Sequence, residues 1–172
     1  MINRYNPHLI ILPEDDHNRQ IANGFKENSN VDFRVIQTLP IACGWRKVLE
    51  EFQKNHISNM RQFPQMNMLL LIDFDDDQED RFSYAQEYIP ENLRKRVFIL
   101  GVKIEPRDLK KDVLKNFNHI KSFKNIGEAL AKDCAENKNE LWGHDLLIHN
   151  KPELERMILS VRRFLFPKKT IC

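Results

Sequence analysis

His8-Leu9-Ile10-Ile11-Leu12 runs into Pro13-Glu14-Asp15-Asp16, and Met66-Asn67-Met68-Leu69-Leu70-Leu71-Ile72 runs into Asp73-Phe74-Asp75-Asp76-Asp77. Both apolar runs are short and dominated by Leu, Ile and Met, the pattern of strands buried on both faces of a parallel sheet. Acids at the carboxyl ends of two parallel strands meet along one sheet edge, where α/β proteins build their sites. Three or more carboxylates gathered there repel one another and require a cation. Mg²⁺ suits them, because it takes hard oxygen ligands and keeps waters that a phosphate can displace.

Working outward, the remaining segments alternate. Asp15 or Asp16 caps a helix running to about Lys26, with Ile21, Ala22 and Phe25 inward. Val31–Thr38 reads as a second strand. Gly44 precedes a helix carrying Trp45, Val48, Leu49 and Phe52 at helical spacing, and residues 56–65 read as a loop. A helix is predicted over 79–88, a strand over Arg96–Gly101, a helix over 106–116 and a short fifth strand near 119–123. Ile126–Cys134 reads as helix. Asn150-Lys151-Pro152-Glu153 has the pattern of a capping box, starting a helix that Pro167 stops. Such alternation predicts an α/β fold, a mostly parallel central sheet flanked by helices on both faces.

The 172 residues predict one domain over 1–172, with 125–172 a C-terminal helical extension packed on the sheet. With 41% hydrophobic and 30% charged residues, composition is that of an ordinary globular protein. A net charge of +2 does not by itself announce a nucleic-acid binder. Its distribution says more: residues 73–80 are acidic, and Arg94–Arg96, Lys103–Lys115 and Arg162–Lys169 are basic. Basic runs are usually solvated faces, but basic surface around an acidic pocket is what a metal-dependent enzyme needs to act on a polyanion. Cys43, Cys134 and Cys172 suggest neither a zinc site nor a disulfide framework. No signal region or membrane-length apolar run is present, so a cytoplasmic protein without a membrane partner is expected.

Glu14 after the first strand, with Asp73 and Asp75 after a later one, resembles the Toprim family. That family comprises catalytic domains of topoisomerases, primases, overcoming-lysogenization-defect nucleases and ribosomal-RNA maturases. The resemblance covers about residues 8–105. It implies a Rossmann-like Toprim fold and a hydrolase that cleaves nucleic acid with Mg²⁺ or Mn²⁺. It further implies Glu14 as general acid/base or ligand, Asp73 and Asp75 as metal ligands, Asp77 as an auxiliary ligand and Lys103 as a phosphate clamp. Many members have Gly beside the glutamate, where this chain has Pro13 and Asp15. A homodimer, or an ATPase partner of the kind that accompanies bacterial defence nucleases, would supply substrate grip.

Other readings remain open. Glu14 alone could complement a helix N-terminus. Asp73–Asp77 could be a solubilising loop, although five acids in residues 73–79 strain that account. A receiver domain also places acids after its first and third strands, but it needs a hydroxyl where this chain has Leu100-Gly101-Val102. A non-catalytic interaction module is the alternative of a different class. His144-Asp145, His17 and Cys43 are lesser candidates. For Cys43, core packing is the plainer reading, and Asn150 is expected to cap its helix.

Overall fold

Four of the apolar runs pair as one all-parallel sheet. In the computed structural model, which describes residues 1–167, the strands are β1 (His8–Pro13), β2 (Ile36–Thr38), β3 (Met66–Leu71) and β4 (Val97–Leu100). Their order is β2-β1-β3-β4, with Leu9 opposite Ile36, His8 opposite Met66 and Met68 opposite Val97. The described residues form a Rossmann-like α/β fold with seven α-helices: α1 (Asp16–Glu27), α2 (Trp45–Glu51), α3 (Ile57–Gln62), α4 (Gln78–Glu87), α5 (Pro106–Asn116), α6 (Phe123–Glu136) and α7 (Lys151–Leu165). None is long and apolar enough to cross a membrane. Lys168, Lys169 and Cys172 lie outside the described residues.

Strand alternation divides the core in two. Leu9, Ile11, Leu69, Phe98 and Leu100 face α1, α5, α6 and α7. Ile10, Leu12, Met68, Leu70, Val97 and Ile99 face α2, α3 and α4. Both faces are covered, so neither side of these strands carries a solvated polar stripe.

Two glycines let α1 and α6 touch. A Cβ on Gly24 would stand 1.9 Å from the Lys124 carbonyl oxygen, and one on Gly127 would stand 1.9 Å from that of Ile21. Alanine at Gly127 gains about 1 kcal/mol of helix propensity, yet it must push two backbones apart. Gly127→Ala is expected to destabilise by about 2–3 kcal/mol net, read as a lower denaturation midpoint. An unchanged midpoint would mean that the helices separate freely.

Several predicted segments differ from the structure. Only Ile36–Thr38 of the expected strand Val31–Thr38 pairs, because Asp32 accepts from the Arg34 amide at 3.1 Å and caps a 3-10 turn over Phe33–Val35. The expected loop 56–65 is helical as far as Gln62. Phe52–His56 is a π-helical segment joining α2 to α3, and the wider turn brings Met60 into the same apolar core as Val48, Leu49 and Phe52. The fifth strand near 119–123 is absent. Ile120 and Phe123 are apolar because they are buried in the core among the helices, and Ser122 caps α6 by accepting from Asn125 at 3.1 Å.

The place of a fifth strand is taken by side chains. β4 is an edge strand, and α7 runs along it. Asn150 Oδ1 accepts from the Gly101 amide at 3.0 Å, and its Nδ2 donates to the Gly101 carbonyl at 2.8 Å. Glu153 Oε2 accepts from the Ile99 amide at 3.0 Å, and Arg156 Nη2 donates to the Val97 carbonyl at 2.7 Å. Residues three apart on a helix thus meet residues two apart on a strand. The expected capping box is not formed, because Asn150 makes no side-chain cap bond and Glu153 is buried against β4.

The segment before α7, unassigned from sequence, is pinned on both sides. Asp133 accepts from the Leu141 and Trp142 amides at 2.7 and 3.2 Å, and the Trp142 indole donates to the Leu130 carbonyl at 3.0 Å. The Lys103 amide donates to the Leu146 carbonyl at 2.9 Å.

Candidate functional site

The chain crosses back between β1 and β3, so their carboxyl ends flank the switch point at which α/β sheets open a crevice. Past its last paired residue, β1 adds one rung, from the Glu14 amide to the Leu71 carbonyl at 2.9 Å. A side chain makes the next rung: the Asp73 amide donates to Glu14 Oε2 at 2.7 Å. The Glu14 carbonyl has turned away to accept from the Cys43 amide at 2.8 Å. Strands diverging at a switch point leave a gap, and the Glu14 carboxylate spans it.

Asp73 is buried at 8% exposure. Asn18, one turn into α1, donates through Nδ2 to Asp73 Oδ1 at 3.0 Å and to Asp15 Oδ1 at 3.1 Å. Asp15 also caps α1 through the Asn18 amide at 2.9 Å. Burial pushes the Asp73 carboxyl up to about 8. The Asn18 hydrogen bond opposes the shift, and the charges of Glu14, Asp15 and Glu105 add to it. Burial also raises Glu14, against the pull of the Asp73 amide. Arg81 gives Nη1 to the Asp73 carbonyl at 2.7 Å and Nη2 to Asp75 Oδ2 at 3.3 Å. The Asp73 carboxylate therefore has no ion-pair partner among the described residues.

The sequence candidates fall in two places. Glu14 and Asp73 meet at the switch point, with Asp15 and Glu105 close enough to act on Asp73 electrostatically. Asp75 does not continue an extended run beside Asp73. The chain stays in register through Phe74, whose amide donates to Val102 at 3.1 Å, and then turns with φ of 49° at Asp75 and 59° at Asp76. Aspartate is one of the few residues that tolerate this region. Asp75 is exposed and paired with Arg81. Asp77 and Lys103 line a neighbouring surface cleft with Glu79, Asp80, Asp145 and His149. Among the described residues no three His, Cys, Asp or Glu side chains converge into a ready-made metal cage.

The histidines near these sites have structural partners. His17 stacks on Phe123 with ring centroids 4.2 Å apart. His144 Nδ1 accepts from the Leu146 amide at 3.0 Å. His149 Nε2 donates to the Gly101 carbonyl at 2.8 Å. Cys43 is exposed rather than packed in the core, with φ of 65°.

Comparison of the chain with protein-family models, curated proteins and solved structures finds no match. The site rests on its own chemistry.

Sequence reasoning passed over Asn18, Arg81 and Trp45. Asn18 had a signal, since the third residue after an aspartate cap lies over the strand end that delivers the acid. Arg81 had a weaker one, as the first cation after the acidic run 73–80. Trp45 shows in the sequence only as one residue of an apolar stripe.

Proposed function

We propose that this chain is a divalent-metal-dependent nuclease of Toprim-like type, hydrolysing phosphodiester bonds in DNA or RNA. One observation carries the reading: a buried carboxylate, Asp73, sits at the switch point beside Glu14 with no cation to balance it. Burying such a charge is costly, so without a cation Asp73 keeps its proton up to about pH 8, and a cation bound there would take the proton's place. The donor set fits Mg²⁺ or Mn²⁺, because Mg²⁺ takes one or two carboxylates and leaves its other positions to water and substrate phosphate.

When bound, the ion would neutralise phosphate oxygens and lower the pKa of an attacking water. Asp73 would hold the ion, and Glu14 would share it or take the proton of the attacking water. Asn18 fixes the Asp73 rotamer. Asp75, turned out and paired with Arg81, and Asp77, in the adjoining cleft, would join the ligand set only if that turn rearranged, and Lys103 would meet phosphate charge from the same cleft. Assembly as a homodimer or with an ATPase subunit, and a role in bacterial defence, follow from the family resemblance alone.

A second reading has two observations in its favour: Glu14 already completes the sheet ladder and Asp75 already pairs with Arg81. On that reading the domain is a non-catalytic Toprim-like or receiver-like interaction module. A nuclease assay on single-stranded and duplex DNA and RNA, with Mg²⁺, Mn²⁺ or chelator, separates the two. Cleavage is expected with metal, and Asp73→Ala should lower it by at least about a hundredfold, the scale of losing one electrostatic stabiliser. Cleavage by that variant at the wild-type rate would remove Asp73 from the chemistry.

A further inference from the structure

A row of aromatic rings and guanidinium groups leads away from the switch point. Arg81, which holds the Asp73 carbonyl, lies over the Trp45 ring at 4.7 Å. Trp45 meets Tyr84 edge-on at 5.4 Å, and Tyr84 meets Tyr88 at 5.5 Å with their hydroxyls 3.2 Å apart. Arg46 lies over both Trp45 and Tyr84, at 5.1 and 5.7 Å. Two helix starts build the row, since Trp45 opens α2 and Arg81 sits in the first turn of α4.

Part of this row is open to solvent. Arg46 and Tyr84 are exposed, and Trp45 and Tyr88 are half-buried. Trp142 is different, being 8% exposed with its indole hydrogen-bonded to Leu130. Trp45 and Tyr88 pack partly against the core and stay partly in water beside two guanidinium groups.

We propose that the row formed by Trp45, Arg46, Tyr84 and Tyr88 is a stacking platform that makes the substrate a single-stranded nucleic acid. The identity of the polymer rests on the nuclease reading above. An unpaired base offers a flat face to an aromatic ring, whereas duplex bases are stacked on one another and present only edges. Arg46, which lies over Trp45 and Tyr84 in the free protein, would swing off those rings to meet the backbone phosphate or to stack over a base. The continuous contacts from Tyr84 through Trp45 and Arg81 to Asp73 set the neighbouring phosphodiester at the acidic edge.

The test is fluorescence anisotropy with labelled single-stranded DNA, the same sequence as RNA, and the DNA duplex. All are measured in chelator at low salt, so that no strand is cut. Wild type should bind single strands more tightly than duplex, and the DNA and RNA arms report which polymer is preferred. Trp45→Leu and Tyr84→Leu, which keep an apolar side chain but remove the ring, should each weaken single-strand binding by about tenfold or more and leave duplex binding unchanged. Arg46→Gln should weaken it and lower the salt slope by about one. The platform is overturned if duplex binds as well as single strand, if wild type binds neither, or if natively folded Trp45→Leu and Tyr84→Leu bind like wild type. Ring-dependent binding without cleavage in Mn²⁺ would keep the platform and remove the nuclease reading. Cleavage without ring-dependent binding would do the reverse.

Discussion

Asp73→Asn is expected to melt higher than wild type at pH 9 in chelator, and to lose any stabilisation by Mg²⁺ or Mn²⁺. The native Asp73 carboxyl is held up at about 8, chiefly by burial, against an ordinary value of 3.8. A raised carboxyl binds a proton in the folded state that the unfolded chain has already released. Its contribution to stability is therefore fully present below pH 3.8 and is lost as pH rises to about 8. Asparagine stays neutral and can still accept from Asn18. The variant should match wild type near pH 4 and gain about 2–4 kcal/mol at pH 9, after discounting for water entry and relaxation. In a chain of 172 residues that is a rise of roughly 5–10 °C.

A metal ion competes with the same proton, so its stabilisation of wild type should grow between pH 6 and 9. At a hundredfold excess over Kd that stabilisation is about 2.7 kcal/mol. Thermal melts of both proteins at three pH values, with and without cation, give every comparison. A wild-type melting temperature that ignores cation at pH 9 would sink the site, as would a variant less stable than wild type there.

Glu153→Ala is expected to cost about 3–5 kcal/mol, the largest loss of stability from any single side chain discussed. Glu153 is 8% exposed and holds the Ile99 amide. Its other oxygen accepts from Arg156 Nε at 2.6 Å. Truncation strands a buried N–H, worth about 1–3 kcal/mol, and leaves Arg156 against the sheet without its carboxylate. Arg156 also lies over Phe98 at 4.6 Å and donates to the Arg94 carbonyl, so it cannot swing out cheaply. Glu153→Gln keeps one acceptor and should cost less than half as much. Denaturation midpoints give the totals, and hydrogen exchange at the Ile99 amide locates them. Unchanged exchange there in Glu153→Ala would show that the carboxylate does not close the edge.

The parallel sheet was legible because its strands are buried on both faces, a condition that excludes polar residues from most of each run. The boundaries that failed were decided by groups with no periodicity. Val31–Val35 has the composition of a strand, but β1 offers β2 only three paired positions and Asp32 captures the next amides. Residues 57–62 looked like loop because a π-helical segment shifts the apolar stripe off a regular helical spacing. Ile120 and Phe123 read as strand because burial between helices selects the same residues as burial in a sheet. At the switch point, Glu14 and Asp73 were readable from strand ends. The Asp75–Asp76 turn was not, because left-handed backbone at two successive aspartates leaves no mark in hydropathy. Asn150 and Glu153 have the spacing of a helix cap and are used across the sheet instead. Local sequence gives no sign of which bond a side chain makes when a distant strand competes for it.

With Asn150, Glu153 and Arg156 occupying the hydrogen-bonding groups of β4, one border of the sheet is shut to lateral association. A passing chain, or a second copy, meets side chains where it would need free amides. The opposite border is β2, whose three residues could pair over only a few rungs. Fibril growth by strand addition therefore has no long template on either side of the native molecule, and any aggregation through this sheet must begin with α7 coming away.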